Sequence, residues 1–221
     1  MILSSQTVSI LKSISGINSN LVIKTGSNIS TISASKDIIA SYTCEEEFDK
    51  QIAIFNLNEF LGVLGAFDKP ELELSDKSVT VFQGKQKVQY NYADVDLLIK
   101  PPEKGVKFPS TDVTIELKDS VLSKLQKMSN ILGSEDMAII GDGSSIMIKI
   151  FDKKNPSTNI FEIELDDETI ETFQFDFKME KLKLYAGTYK IELSSKKISK
   201  FTHSTIDLMY YIAVESSSFF N

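Results

Sequence analysis

The sequence predicts an α+β fold built from two similar domains. Two stretches follow one ground plan: an amphipathic helix, short strands, a second helix, then more strands. Val8, Leu11, Ile14 and Ile17 open the first at helical spacing, and Leu122, Leu125, Met128 and Leu132 open the second about 114 residues later. Later parts correspond as well. Phe55, Leu57 and Phe60 fall against Phe177, Met179 and Leu182, and the turn Leu74-Ser75-Asp76-Lys77 falls against Leu193-Ser194-Ser195-Lys196. With 221 residues and 42% hydrophobic content, the chain can fill two cores of ~100 residues each.

Four helices are expected, over residues 5–17, 56–67, 118–131 and 178–187. Side chains three or four apart share a helix face. The first helix turns Ser5, Ser9, Lys12 and Ser13 away from Leu11 and Ile14. The second presents Asn58, Glu59, Gly62 and Ala66, a weakly acidic face. The third sets Ser120, Ser123, Lys124, Lys127 and Asn130 opposite its apolar stripe. The fourth buries Met179, Leu182 and Ala186, leaving Lys178 and Lys181 outside and Lys183 on the flank.

Between the helices, β-branched and aromatic runs broken by Gly, Asn, Asp and Ser predict strands. They fall at 21–24, 38–43, 51–55, 79–82 and 88–92 in the first half. In the second half they fall at 137–140, 146–151, 160–165, 173–177, 189–193, 198–202 and 209–215. Gly141-Asp142-Gly143 is a hairpin turn and not a phosphate loop, because no helix and no Lys-Ser/Thr pair follow it. Pro101, Pro102, Gly105 and Pro109 break both periodicities, so residues 95–110 form a connector between an N-terminal domain (1–108) and a C-terminal one (109–221).

Charge separates helices from the rest. The formal net charge is −7, yet the four expected helices carry +1, −1, +2 and +2. The acid is densest at Glu45-Glu46-Glu47 and Asp166-Asp167-Glu168, so nucleic acid would be repelled everywhere except at basic helix faces. All 24 basic residues are lysine, which neutralises phosphate but lacks the flat fork that reads guanine edges. The longest apolar run, residues 208–214, is far below the ~20 residues of a membrane span, and Met1-Ile2-Leu3-Ser4-Ser5-Gln6 lacks the pattern of a cleavable signal. A single cysteine, Cys44, fits a reducing compartment, and a cytoplasmic location is expected.

Catalysis finds little support. His203 is the only histidine, which rules out a histidine-pair zinc site and reads as an ordinary strand or loop residue. Cys44 stands beside three glutamates that would raise its thiol pKa, the wrong direction for a nucleophile. Asp166-Asp167-Glu168 reads as a solvated acidic turn and not as a divalent-ion site. No enzyme activity, metal or cofactor is expected.

The residues resemble a known family, the sliding clamps or DNA polymerase processivity factors of T-even-type bacteriophages, over nearly the whole chain. The most specific piece is the run from Ile52 through Phe55-Asn56-Leu57-Asn58-Glu59-Phe60 to Leu64. Lys12 with Ile17-Asn18-Ser19 and Lys24, then Phe108-Pro109, then Met179, Lys183 and Gly187 with Tyr189-Lys190 also match in order and spacing. The resemblance implies the DNA-clamp fold: a head-to-tail homotrimer whose six domains surround a hole, with helices inside and sheets outside. It implies duplex DNA as the encircled partner, bound without sequence preference. It also implies a replicative DNA polymerase, an ATP-dependent clamp loader and transcription factors as protein partners, and the cytoplasm of an infected bacterial host as the location.

Site residues follow from that resemblance. Lys12, Lys124, Lys127, Lys178, Lys181 and Lys183 on the expected inner helices, with Lys118 just before one of them, would face DNA and screen phosphates loosely enough to slide. Lys127 and Asn130 stand where the resemblance implies arginine at some inner positions. Ring closure would pair the strand carrying Val88, Tyr90 and Tyr92 with the strand of Ile160, Ile163 and Leu165 in the next copy. Protein partners would dock on Leu97, Leu98, Ile99 and Phe108 of the connector and on Phe219 and Phe220 of the tail. Packing beneath a loop, and a frayed terminus, are the alternatives for those two groups. The alternative function is a β-rich phage structural or assembly protein with two similar domains, which would have no use for lysines gathered on helix faces.

Overall fold

A computed structural model describes the whole chain, Met1–Asn221. It is α+β and divides into two compact units, Met1–Gly105 and Val106–Asn221. No helix is long and apolar enough to cross a membrane.

The first unit runs α1 (Ser5–Ser15), β1 (Leu21–Ile23), β2 (Gly26–Ile32), β3 (Ile38–Phe48), β4 (Ile52–Ile54), α2 (Leu57–Gly65), β5 (Glu71–Leu74), β6 (Ser78–Gln83) and β7 (Gln86–Asn91). A 3-10 turn, Val95–Leu97, follows. Strands β1 and β4 pair antiparallel, as do β2 and β3, and β5, β6 and β7 form a meander. The Ser4 side chain accepts the Thr7 N–H at 3.1 Å and starts α1; Asn56 does the same for α2 through the Glu59 N–H at 3.2 Å. The two helices pack together.

The buried face of α1 differs from the expected stripe. Thr7, Ile10, Leu11 and Ile14 point inward, while Val8 is half-buried and Ile17 lies past the helix end. Thr7 can turn inward because its hydroxyl donates to Glu46 at 2.7 Å and lies 3.3 Å from the Tyr42 hydroxyl, so no polar group is stranded. Strand β3 continues through the glutamate run for the same reason. Tyr42, Cys44 and Phe48 are buried, Glu45 and Glu47 alternate outward, and Glu46 points toward the start of α1. β2 escaped the sequence reading because Ser27, Asn28, Ser30 and Thr31 dilute its apolar alternation.

The second unit runs β8 (Val113–Leu117), α3 (Asp119–Leu132), β9 (Asp136–Asp142), β10 (Ser145–Phe151), β11 (Phe161–Glu168), β12 (Thr172–Lys178), a 3-10 turn (Met179–Lys181), β13 (Tyr189–Ser194), β14 (Ile198–His203), β15 (Leu208–Ala213) and β16 (Phe219–Phe220). One antiparallel sheet has the order β11-β10-β9-β12-β16; in another, β8, β13, β14 and β15 pair in succession. Lys118 precedes α3 without a side-chain cap, and Thr188 supplies the missing acceptor by taking the Asp119 N–H at 3.2 Å. Gly133, in the left-handed region at φ 63°, stops the helix. Leu122, Leu125 and Ser129 face inward, and the Ser129 hydroxyl donates to the Ser134 carbonyl at 2.7 Å.

The expected fourth helix does not form. Lys178 ends β12, Met179–Lys181 make one 3-10 turn, and Leu182 leaves helical geometry at φ −90°, ψ 48°. Leu182 and Leu184 are buried with Lys183 exposed between them, an alternation with period two that an α-helix cannot satisfy. The Asp166-Asp167-Glu168 run, expected in a turn, is the end of β11.

Candidate nucleic-acid interface

Helix α3 presents Ser120, Ser123, Lys124, Lys127 and Asn130 to solvent. Lys124 and Lys127 lie on one face, and neither pairs with a carboxylate. Lys124 Nζ instead lies 5.7 Å from the ring centroid of Phe161 on β11, which steadies the charge without neutralising it. Lys12, on the exposed side of α1, is likewise without an ion pair. Mobile ammonium groups on a smooth face of serine and asparagine can meet phosphates but cannot specify bases.

The other expected DNA-facing lysines are placed differently. Lys118 Nζ lies 2.6 Å from Asp166, Lys178 Nζ lies 2.6 Å from the buried Asp136, and Lys181 Nζ lies 2.8 Å from Glu215. Because the fourth helix is absent, Lys178 and Lys181 do not share an exposed helix face; both are committed to carboxylates within their own unit. The Lys178 ammonium is held protonated by its hydrogen bond to Asp136. Lys183 is exposed and lines an open groove of about 750 Å³ at the end of α3, together with Gln126, Asn130 and Lys178.

Among the strands at sheet edges, two carry the residues expected at a subunit seam. β7 pairs only with β6, and β11 only with β10. On β7, the Tyr90 hydroxyl donates to the Asn56 carbonyl at 3.2 Å and its ring meets Phe60 edge-on at 5.3 Å. Tyr92 lies past the strand and packs against Val22, Ala53 and Leu98; burial, reinforced by the charge of Asp49, pushes its hydroxyl up to about 12. Both tyrosines therefore anchor β7 to its own unit, and Val88 is the exposed apolar residue of that edge. On β11, Phe161, Ile163 and Leu165 are half-buried, and Ile160 just before the strand is 49% exposed. Beyond Glu164 the pairing with β10 slips through a bulge, since Met147 faces Glu164 but Ser145 faces Glu168.

The chain is similar to known proteins over nearly its whole length. The sliding clamp of Vibrio phage KVP40 is 32% identical over 223 residues, covering 98% of this chain and 100% of its own length. This chain belongs to the sliding clamps of T-even-type bacteriophages. The sliding clamp of Enterobacteria phage T4 is 30% identical over 89% of this chain and 88% of its own, and that of Escherichia phage RB69 is 28% identical over 99% and 98%. Residues 114–216 match the family described as gp45 sliding clamp, C terminal. Among solved structures, A. fulgidus PCNA bound to the C-terminal region of FEN-1 superposes with a TM-score of 0.73 at 13% identity, covering 99% of this chain and 98% of that one. Entamoeba histolytica PCNA gives 0.66 at 16% identity over 95% and 94%, so the fold is shared where the sequence is not.

In this clamp the residues expected to receive protein partners are only partly available. Leu98 is 5% exposed and buried with Val22 and Ala53, which removes it from any surface. Leu97, in the 3-10 turn, is 74% exposed, and Ile99 is exposed as well. Phe108 is half-buried with its ring 6.2 Å from Tyr211. Phe219 and Phe220 are not frayed: they form β16 against Gln174 and Phe173, and Phe220 stacks on Phe173 at 6.3 Å, leaving Phe219 43% exposed.

Sequence reasoning missed Phe161 and Asp166, which touch two of the clamp's lysines from β11. The alternation Phe161-Glu162-Ile163-Glu164-Leu165-Asp166, one apolar and one acidic face, was the available signal. Cys44 and His203 are structural. Burial, with the neighbouring Glu46, pushes the Cys44 thiol up to about 11, and its sulfur donates to the Ser27 carbonyl. His203 Nδ1 accepts the Thr205 and Ile206 N–H groups at 3.2 and 3.3 Å, so its proton sits on Nε2, which donates to the Ala186 carbonyl at 3.2 Å.

Proposed function

We propose that three copies close head to tail into a ring that encircles duplex DNA, with α1 and α3 toward the hole. The observation that carries this reading is the exposed, unpaired lysine face of α3, Lys124 and Lys127, in a chain whose net charge is −7. A ring held on DNA by topology needs only weak phosphate contacts, which Lys12, Lys124 and Lys127 supply, while Lys118, Lys178 and Lys181 are each tied to a carboxylate of their own unit. The open edges of β7 and β11 are the proposed seam, because a heterologous contact makes a ring when its rotation closes. Leu97, Ile99, Phe108 and Phe219 are the residues proposed to receive the replicative polymerase, an ATP-dependent loader and transcription factors. The reading assigns no catalytic residue and places the protein in the cytoplasm of the infected bacterium.

Sedimentation across a concentration series tests the assembly, with a species three times the 24.7 kDa chain as the expected result. Lys124→Glu with Lys127→Glu should leave that species intact and reduce loader-dependent stimulation of the polymerase. A monomer at every concentration would overturn the ring.

A further inference from the structure

The two open edges carry opposite charge, and each holds an ion without a partner of its own. On the outer face of β7, Lys87 is exposed and makes no ion pair, and Lys85 beside it in the turn is the same. On β11, Glu162 is engaged by Lys149 at 3.2 Å and Asp166 by Lys118 at 2.6 Å. Glu164, between them, is exposed with no internal cation, and it is the last residue before the bulge ends regular pairing. The opposite faces of both strands are apolar and lie toward helices: Tyr90 touches Phe60 of α2, and Phe161 lies under Lys124 of α3.

From this we infer that the seam between copies is electrostatically keyed, with Lys87 and Lys85 of one copy set against Glu164 of the next. The inference rests on the ring reading and adds to it what selects the pairing. A sheet continued from β7 into a second copy's β11 with the helices on one side must place Val88 and Tyr90 beside Phe161 and Ile163. That same register of faces sets Lys87 against the row Glu162, Glu164. Two β11 edges brought together would oppose four glutamates across the pair, and two β7 edges would oppose lysines, so like-charge repulsion disfavours both head-to-head contacts. Of the pairings these two edges allow between copies, the head-to-tail contact that closes a ring is the one left. The same chemistry makes the seam sensitive to ionic strength, because exposed charges are screened within about 10 Å at about 0.1 M salt. A ring of identical seams repeats any weakening at each one.

The test uses the full chain in sedimentation near the midpoint of its assembly, with urea unfolding as a control for folding. Raising salt from about 0.05 to about 0.5 M should shift the wild type toward monomer. Lys87→Glu should weaken each seam by about fivefold at low salt and abolish most of that salt dependence. Glu164→Lys should do the same. The double variant, Lys87→Glu with Glu164→Lys, should recover assembly relative to either single change. A trimer indifferent to salt and to both reversals would overturn the keyed seam and leave the ring standing. Failure of the double variant to recover, with all variants folded, would also overturn it. A monomeric wild type at every concentration would remove the ring and the key together.

Discussion

Lys118 Nζ lies 2.6 Å from Asp166 Oδ2, so the lysine that precedes α3 is tied to the bulged end of the edge strand β11. The bond holds the ammonium above and the carboxyl below its ordinary pKa, which keeps both charged across the physiological range. The pair is well exposed and adds little to stability, but it neutralises a charge that would otherwise be open to a phosphate. Asp166→Asn should raise low-salt affinity for a short duplex by about twofold and steepen its salt dependence by up to about one released ion. Adding Lys118→Gln should reverse the gain. Fluorescence anisotropy over a salt series reads both.

Lys178 and Asp136 form a pair of another kind. Asp136 is buried, and its second oxygen accepts the Lys153 N–H at 2.9 Å, so removing the lysine leaves a carboxylate in the interior. Lys178→Met should cost about 3 kcal/mol in urea unfolding. Its effect on DNA retention, compared at equal amounts of assembled protein, should be smaller than that of Lys127→Met. Equal loss of DNA retention in the two variants would return Lys178 to the DNA-facing set.

Two glycines make opposite predictions. Gly187 sits at φ +147°, and a Cβ there would come within 2.0 Å of His203 Nε2, so Gly187→Ala should destabilise by about 2 kcal/mol or more. Gly62 lies exposed in α2 with nothing within 4 Å of an added Cβ, so Gly62→Ala should stabilise by about 0.5–1 kcal/mol. Urea titrations at one protein concentration compare them, since assembly itself shifts the midpoint.

Glu46 caps α1 through the Ser4 N–H and the Thr7 hydroxyl. Burial raises its pKa, and these hydrogen bonds outweigh burial and hold it below the ordinary 4.5. A folded value below the unfolded one means that the contribution is present above pH 4.5 and is lost as the pH falls through the folded value. Glu46→Ala should therefore lose about 1 kcal/mol at neutral pH and progressively less toward acid. A gap between variant and wild type that widens on acidification would contradict this.

What the sequence determined by itself was everything that rests on local periodicity and composition. The α+β class, the three true helices, most strands and the polar lysine face of α3 follow from spacings that repeat regardless of what packs against them. The 13-residue piece from Ile52 to Leu64 further carried the family resemblance. Tertiary structure decided which of two compatible readings each ambiguous segment took. Residues 178–187 contain helical spacing at Met179, Leu182 and Ala186, and an alternation at Leu182 and Leu184; burial of both leucines excluded the helix, and the segment runs on as irregular chain to β13. Thr7 displaced Val8 on the inner face of α1 because Glu46, 39 residues away, satisfies its hydroxyl. Lys118, Lys178 and Lys181 look like Lys124 and Lys127 in a linear chain. Only the approach of Asp166, Asp136 and Glu215 from other elements separates charges that bind their own protein from charges left open to solvent, since an ion pair depends on distance in space and not on position in sequence.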